Sequence, residues 1–502
     1  MRRLLCALGA LLIAALAGAT PLDAPDTDAP LDLWLTVGGA LGDRLTYGAE
    51  RPLLYDYEGL GFSYRRGVVD LGFDFVLNND RKYEPSEPHM LGRYFDLLDG
   101  HVTLSGERLS ATGGRVVHRD EVDGPYSLFI SSAPNPTTLL NFRYDDGFFF
   151  YESRWLELNR QSSLYTYEVP VTDPTNGAET GDVVETPLDR GAVYKAYGVD
   201  FGRLRVGLQE SVVYLYTTFY PEYFLSPLPM YFTQLVNSTS GKPWTQRANE
   251  NSLMGIFAEY EWAEASVVGQ FLIDDWNEMG IDWLAPGEWN NPAKFAWYLG
   301  GDLDLGVGTL GLYHAGATKY TFGPTYAGDR ADGFEFRDYN AYPYSYTYYP
   351  VTEYTVDGTP TQILPADNYI GYLHGENNIS FMTTFASQAR GVTYDASLEY
   401  TISGTKAPTN PWHEADWHSQ QGTELLNDDA LEHRLVFDTT AYRWFGPVRL
   451  GGTVRLGGVW NELELEPVAG APAESKLFVA SDTNRLLWQL GLEARFTLGL
   501  ED

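Results

Sequence analysis

Three pairs of adjacent carboxylates, Asp145-Asp146, Asp274-Asp275 and Asp428-Asp429, are the first residues of this chain to suggest chemistry. Glycoside hydrolysis uses two carboxyl groups about 5–10 Å apart across a sugar, one of them with a raised pKa. Adjacent residues point to opposite faces of a strand and do not meet that geometry. These acids are therefore expected in turns or at a rim, where external ones can share Ca²⁺ with anionic glycans. Trp412-His413-x-x-Asp416-Trp417-His418 contains metal-ligand types, but no further ligand stands in register with it, and no metal or cofactor is expected. No phosphate-cradling glycine loop, nucleophile elbow or catalytic triad pattern stands out, so the chain is not expected to be an enzyme.

A second group of candidates consists of charges set among apolar residues. Glu210 shares its period-two position with Leu204, Val206, Leu208, Val212 and Tyr214. If that face meets lipid, a carboxylate there is unfavourable. Either the strand bulges and turns Glu210 inward toward an arginine, or Glu210 sits at the external rim. On the opposite face of such strands lie Arg143, Arg203, Arg205, Arg434, Arg449, Arg455 and Arg495. Asp70, Asp74, Glu259, Glu261, Asp302, Asp304, Asp395 and Glu399 share that face. Solvation of a pore wall accounts for both signs; the sharper reading is a transverse field that orients polar solutes. The lumen or rim candidates are Glu210, Arg143, Arg203, Arg205, Glu259, Asp274, Asp275, Arg449 and Arg455. In the stretch 320–373, Tyr342, Tyr344, Tyr346, Tyr348 and Tyr349 crowd together. Their flat faces and hydroxyls suit stacking on sugars, or a loop that packs on itself and caps a barrel.

The elements that must carry these residues follow from periodicity. Arg2 and Arg3, the apolar stretch 4–16 and Ala17-Gly18-Ala19 read as a secretory signal over 1–19. The only cysteine, Cys6, falls inside it, so the mature chain 20–502 has no disulfide to rely on. No later apolar run is long enough for a membrane-spanning helix. Alternation of apolar and polar residues recurs instead, as in 392–402 and 486–500, over the length of a tilted membrane-spanning strand. Tight connections, such as 145–147, 201–203 and 262–264, alternate with long ones, such as 159–192, 217–251 and 403–430. That asymmetry is expected of short periplasmic turns and long external loops. One strand near 31–41, hairpins near 60–77, 94–117, 138–158, 193–215, 252–274, 294–319, 374–402 and 431–460, and a last strand at 485–500 make eighteen; sixteen is the alternative count. The expected fold is an all-β, antiparallel transmembrane barrel in one domain. Tyr214, Tyr216, Tyr260, Trp262, Tyr442 and Trp460 fall near strand ends, as interfacial aromatics do.

The 502 residues carry 34 Lys and Arg against 68 Asp and Glu, a formal charge of −34, which excludes a nucleic-acid partner. Aromatics at 15 % and hydrophobic residues at 44 % exclude long disorder.

Several segments resemble the Wzi-like capsule-assembly outer-membrane barrels. Gly114-Arg115, Gly124-Pro125 and 127–134 are similar to that family's Gly-Arg … Trp-Gly-Pro … Ser-Leu … Ser … Ala-Pro stretch, with Asp123 in place of the tryptophan. The stretch 206–214 followed by Tyr223-Phe224-Leu225-Ser226-Pro227-Leu228 resembles Gly-Leu-x-Glu-x-Val-Val-Tyr and Tyr-Leu-x-Pro-Leu. The stretch 269–276 with Asn291-Pro292-Ala293-Lys294 resembles the strand ending in Asp-Asp and the later Lys-containing strand start. The resemblance implies an eighteen-stranded, non-enzymatic barrel that helps assemble or retain surface polysaccharide. The N-terminal part shows no helical periplasmic bundle, so no plug is expected from it. The alternative is a porin-like diffusion channel for cations or small polar solutes. A soluble lectin-like β protein is disfavoured, because its apolar faces would lack cover. The expected location is the outer membrane, and the expected partners are outer-membrane lipid, surface polysaccharide and the barrel-assembly machinery.

Overall fold

The computed structural model describes residues 31–43, 53–85, 92–162, 166–172, 175, 179–187, 189–215, 217–239, 250–275, 293–323, 347, 353–356, 358–406, 423–467 and 476–500. Eighteen strands form one sheet. In chain order they are β1 (Leu31–Gly42), β2 (Leu53–Arg66), β3 (Val69–Asn78), β4 (Tyr94–Ser105), β5 (Leu109–Val116) and β6 (Thr137–Asp145). There follow β7 (Phe149–Asn159), β8 (Arg190–Asp200), β9 (Leu204–Leu215), β10 (Glu250–Glu261), β11 (Ala265–Asp275) and β12 (Lys294–Asp304). The circle is completed by β13 (Thr309–Ala317), β14 (Asn378–Ala389), β15 (Val392–Ser403), β16 (Glu432–Phe445), β17 (Val448–Trp460) and β18 (Arg485–Leu500).

Each strand pairs antiparallel with the next, and β18 closes on β1, with Leu31 opposite Leu500 and Leu41 opposite Leu490. Closure leaves no open edge, the condition under which strands cross a hydrocarbon layer with every backbone group paired. The expectation of eighteen strands holds, and the boundaries match within a few residues, except that β2 begins at Leu53, well before the expected 60.

The alternation sorts as expected. Leu33, Leu35 and Val37 of β1 face outward, as do Leu208 on β9, Leu312 on β13, Leu398 on β15 and Phe496 on β18. Inner faces hold aromatics laid over glycines of the neighbouring strand: Trp34 over Gly61, Tyr57 over Gly38 and Phe150 over Gly198. A side chain at those glycines would displace the ring, so the pairs fix the inner wall. Leu208 lies mid-strand and is 53 % exposed on the outer wall. Leu208→Arg is expected to destabilise the barrel by about 2–4 kcal/mol, as charge on the lipid face does near the midplane; unfolding from phospholipid bilayers measures it.

All short turns lie at one end, among them 146–148, 201–203, 262–264 and 446–447, and all long connections at the other. Among the described residues, three long connections carry hairpins of their own: Thr166–Thr172 with Glu179–Pro187, Glu353–Val356 with Thr359–Gln362, and Leu463–Pro467 with Lys476–Ala480. The aromatic expectation holds in part. Tyr260 and Trp262 form an outward pair near the short-turn end, ring centroids 4.6 Å apart, and Trp460 is exposed at the other end. Tyr442 instead lies on the inner wall with the Arg449 guanidinium 5.1 Å from its ring, and Tyr214 is buried beneath a loop. Tyr216 falls outside the described residues.

Candidate functional site

Residues 117–136, between β5 and β6, fold into the barrel instead of projecting from it. Tyr126, Leu128, Phe129 and Ile130 are fully buried there. Polar groups seat the segment on the wall. Leu128 N donates to Gln270 Oε1 on β11 (3.0 Å), Glu121 N to the Tyr194 hydroxyl on β8 (3.0 Å), and the Tyr126 hydroxyl to Glu399 on β15 (2.6 Å). The segment thus leaves the wall at β5 and reaches β15 across the lumen. Gly255 of β10 has no room for a Cβ, which would meet Phe271 O at 2.0 Å and the Phe129 ring at 3.0 Å. Gly124 is likewise closed in by Tyr298.

A buried loop must satisfy its own backbone. Asp120 does much of this: Val122 N donates to Oδ1 (3.0 Å), while Phe129 N (3.2 Å) and Gln270 Nε2 (2.9 Å) donate to Oδ2. Burial pushes the Asp120 carboxyl above the usual carboxylate range, against the pull of these donors. Burial, then Arg154 and Arg119, push His118 well below its ordinary value.

The arginines expected to line a pore clamp this segment. Glu121, its side chain only 3 % exposed, pairs with both Arg143 and Arg205. Arg143 also reaches Asp145 (3.0 Å) and Glu152 (3.3 Å), and Arg205 reaches Glu259 (3.1 Å). Arg143, Arg205 and Glu259 therefore do meet inside the barrel, as ties for a loop and not as an open charged wall.

A second segment, 363–377, crosses from the other side. Ser131 N donates to Tyr369 O (3.0 Å), Gly371 N to Phe129 O (3.2 Å), and Asn135 Nδ2 to Ala366 O (2.6 Å). Farther along, Lys82 between β3 and β4 pairs with Asp367 at 3.0 Å, and the Tyr354 hydroxyl donates to Lys82 O. Lys476, between β17 and β18, pairs with Glu353. The connection between β13 and β14 is thus tied to the opposite side of the long-loop end. Behind it, Lys406 Nζ donates to His374 O (2.6 Å) and Glu376 O (2.9 Å). Burial holds this ammonium down at about 8 against the raising effect of Glu432 and Glu376. A lysine whose folded pKa is depressed binds its proton more readily when unfolded, so it favours folding increasingly as pH rises from about 8 toward the ordinary lysine value. Relative to Lys406→Met, the unaltered protein is expected to gain stability over that window in urea titrations.

Asp274 and Lys294, from the third family-like stretch, form a buried ion pair at 3.7 Å, each side chain 1 % exposed. Asp274 also accepts from Phe322 N and Asn251 Nδ2, both at 2.9 Å, and Lys294 donates to Gly323 O at 3.3 Å. Together they hold the turn 318–323, where Tyr320 and Phe322 adopt positive φ. Asp275 pairs with Lys294 through the backbone, past a register shift. Asp145 and Asp146 cap a short turn, and Asp428 accepts from Asn377 and Thr405 N. These acids fasten turns and loops, as expected of residues that cannot act as a catalytic pair.

Glu210 corrects both expectations made for it. β9 runs without a bulge at this point, in continuous register with β8 and β10, so Glu210 keeps its outward direction. It is buried because residues 217–239 fold down the outer wall over it, with α1 (Pro221–Leu225) and α2 (Met230–Thr239). Met230 N donates to Glu210 Oε2 at 3.1 Å, and Lys195, its cross-strand neighbour, donates to Ser226 O and Leu228 O. Glu210 is thus neither a lumen nor a rim residue. Arg203 is exposed in the 201–203 turn, at the rim of the short-turn end and outside the strands of the wall.

Arg449 and Arg455 keep their inward places. Arg449 pairs with Glu493, and Arg455 Nε donates to Asp438 at 2.6 Å. The inner faces of β16–β18 and β1–β4 lie away from the crossing segments' seats, and Arg449 and Glu493 stay 26 % and 30 % exposed. Tyr342, Tyr344, Tyr346, Tyr348 and Tyr349, and the stretch from Trp412 to His418, lie outside the described residues. The sequence reading missed Asp120, Glu121, Tyr126 and Gln270. The signal was there: Leu128-Phe129-Ile130 is an unalternating apolar run between Pro125 and Pro134, and a loop with such a run must bury it.

These features define a class: a closed, eighteen-stranded transmembrane β-barrel whose lumen is crossed by folded-in connections. No family model matches the chain, and no curated protein matches it. Among solved structures it is similar to Wzi, an outer membrane protein involved in group 1 capsule assembly in Escherichia coli and described as a carbohydrate-binding β-barrel. Identity is 10 %, coverage 98 % of this chain and 92 % of that one, and the TM-score 0.47. It is also similar to the outer membrane protein OpdK of Pseudomonas aeruginosa (10 % identity, coverage 93 % and 98 %, TM-score 0.42). A third is OccK2 (OpdF) of the same organism in complex with glucuronate (8 % identity, coverage 94 % and 98 %, TM-score 0.43). At these identities the likeness is one of fold and carries no function across.

Proposed function

We propose that the protein is a non-enzymatic outer-membrane barrel that acts at its external face, in association with surface polysaccharide, and not as an open pore. The observation that supports this reading is the double crossing of the lumen. Residues 117–136 and 363–377 pair with each other; the first is seated on β8, β11 and β15, and the second is tied to the connection between β3 and β4. A barrel so crossed offers its knitted long-loop end as the working surface. With 68 acids against 34 bases, that surface would take neutral glycans directly and anionic ones through a shared divalent cation. Outer-membrane lipid and the barrel-assembly machinery are the partners this reading implies. The test is retention: polysaccharide extracted from the producing cell should bind the immobilised protein, and cells lacking the protein should shed more of it into the medium. Unchanged shedding together with no binding would remove the proposal.

One observation favours the second reading, a diffusion channel for small polar solutes. The partly exposed charges Arg449, Glu493, Arg455 and Asp438 form a polar strip away from the crossing segments' seats. A passage along it would discriminate by charge.

A further inference from the structure

Residues 217–239 form a layer on the barrel's outer wall that is apolar on both of its sides. The side facing the wall packs Tyr223 and Met230 against Val193, Val212 and Tyr214, and it is pinned by polar groups as well: Thr233 is buried, Gln234 Nε2 donates to Glu250 O at 2.9 Å, and Ser252 Oγ donates to Gln234 Oε1. The side facing away is mainly apolar: Leu225, Leu228, Tyr231, Phe232 and Val236 are exposed, Leu225 to 71 % and Phe232 to 56 %, with Glu222 the exposed charge on it. A helix on a protein surface in water is apolar only on the side facing the protein, so an apolar outer side calls for a second apolar cover.

The irregular backbone between the wall and the helices is satisfied by outward side chains of the strands beneath. Trp155 Nε1 donates to Thr218 O, Ser153 Oγ to Phe224 O (2.8 Å), Lys195 Nζ to Ser226 O and Leu228 O, and the Tyr197 hydroxyl to Leu228 O (3.3 Å). Glu210 takes the first N–H of α2. Non-helical backbone at membrane depth requires partners of this kind, because lipid supplies none. The apolar face is also continuous with the lipid-facing belt of β9 and β10, where Leu208 and Ile256 are exposed.

We propose that α1 and α2 are a membrane-seated element: the connection between β9 and β10 lies in the outer leaflet against the barrel, with Leu225, Leu228, Tyr231, Phe232 and Val236 in contact with lipid. Lys195 and Glu210, on the outer wall beneath, fasten it there. The inference is independent of the polysaccharide reading.

Nitroxide labels at Leu228→Cys and Phe232→Cys, each in a Cys6→Ser background in phospholipid bilayers, test it. Leu208→Cys serves as the lipid-facing reference and Asp146→Cys as the aqueous one. Heat-modifiable gel mobility establishes that each variant is folded. Relaxation by dissolved oxygen at 228 and 232 is expected to equal that at 208, with relaxation by a water-soluble nickel chelate several-fold weaker than at 146. Nickel accessibility matching 146 would overturn the proposal. So would shielding from both agents that disappears on dilution into detergent, which would assign the face to a second copy of the chain.

Discussion

Lys294→Met is expected to lower the barrel's unfolding free energy by about 3–5 kcal/mol, the cost of leaving a buried carboxylate without its cation. The side chains of Lys294 and Asp274 are each 1 % exposed, so water does not replace the lost partner. The same change strips Gly323 O of a donor and loosens the turn that carries Tyr320 and Phe322 at positive φ, a conformation held only by its surroundings. The double variant Asp274→Asn/Lys294→Met removes the charge along with its partner and is expected to recover a large part of the loss. Urea unfolding of both variants in phospholipid bilayers measures the difference. Equal losses in the single and double variants would show that the ion pair is not what holds this turn.

Replacing residues 117–136 by Asn-Gly is expected to open the lumen. Val116 and Thr137 are already cross-strand partners, so a two-residue turn joins β5 to β6 without moving either. The change removes Tyr126, Leu128, Phe129 and Ile130 from the interior and frees Arg143 and Arg205 from Glu121. It also takes away Phe129 O and Ser131 N, the backbone partners of Gly371 N and Tyr369 O that seat residues 369–371. Both crossings should fail together. Vesicles bearing the variant are expected to swell in small sugars at rates well above those bearing the unaltered protein, with heat-modifiable mobility confirming a folded barrel. Swelling no faster than before would mean that the other connections close the lumen alone.

The barrel was legible in the sequence because each strand repeats one local instruction. Leu486 to Leu500 alternates so regularly that its inward set, Gln489, Glu493 and Arg495, follows from counting. Turn positions were legible for the same reason, since short turns interrupt the alternation at one end only. Loop direction was not. Glu210 stands in register with lipid-facing residues and does face outward, but its cover is supplied by residues 217–239, and nothing local to β9 says so. Arg143 and Arg205 were placed on the inner face correctly, yet their partner Glu121 lies in a connection whose inward course depends on long-range fits such as Phe129 over Gly255. Strand periodicity fixes which side a residue faces; only packing decides what meets it there.

In the proposed function, the two connections that cross the lumen close it to solutes. Single-channel recording of the refolded, unaltered protein in a planar bilayer, with reversal potential under a salt gradient, tests this closure most directly. Insertion without stable open steps is the expected result. Steady open steps with a cation-selective reversal potential would contradict it, and would make the strip of Arg449, Arg455, Asp438 and Glu493 a conducting path.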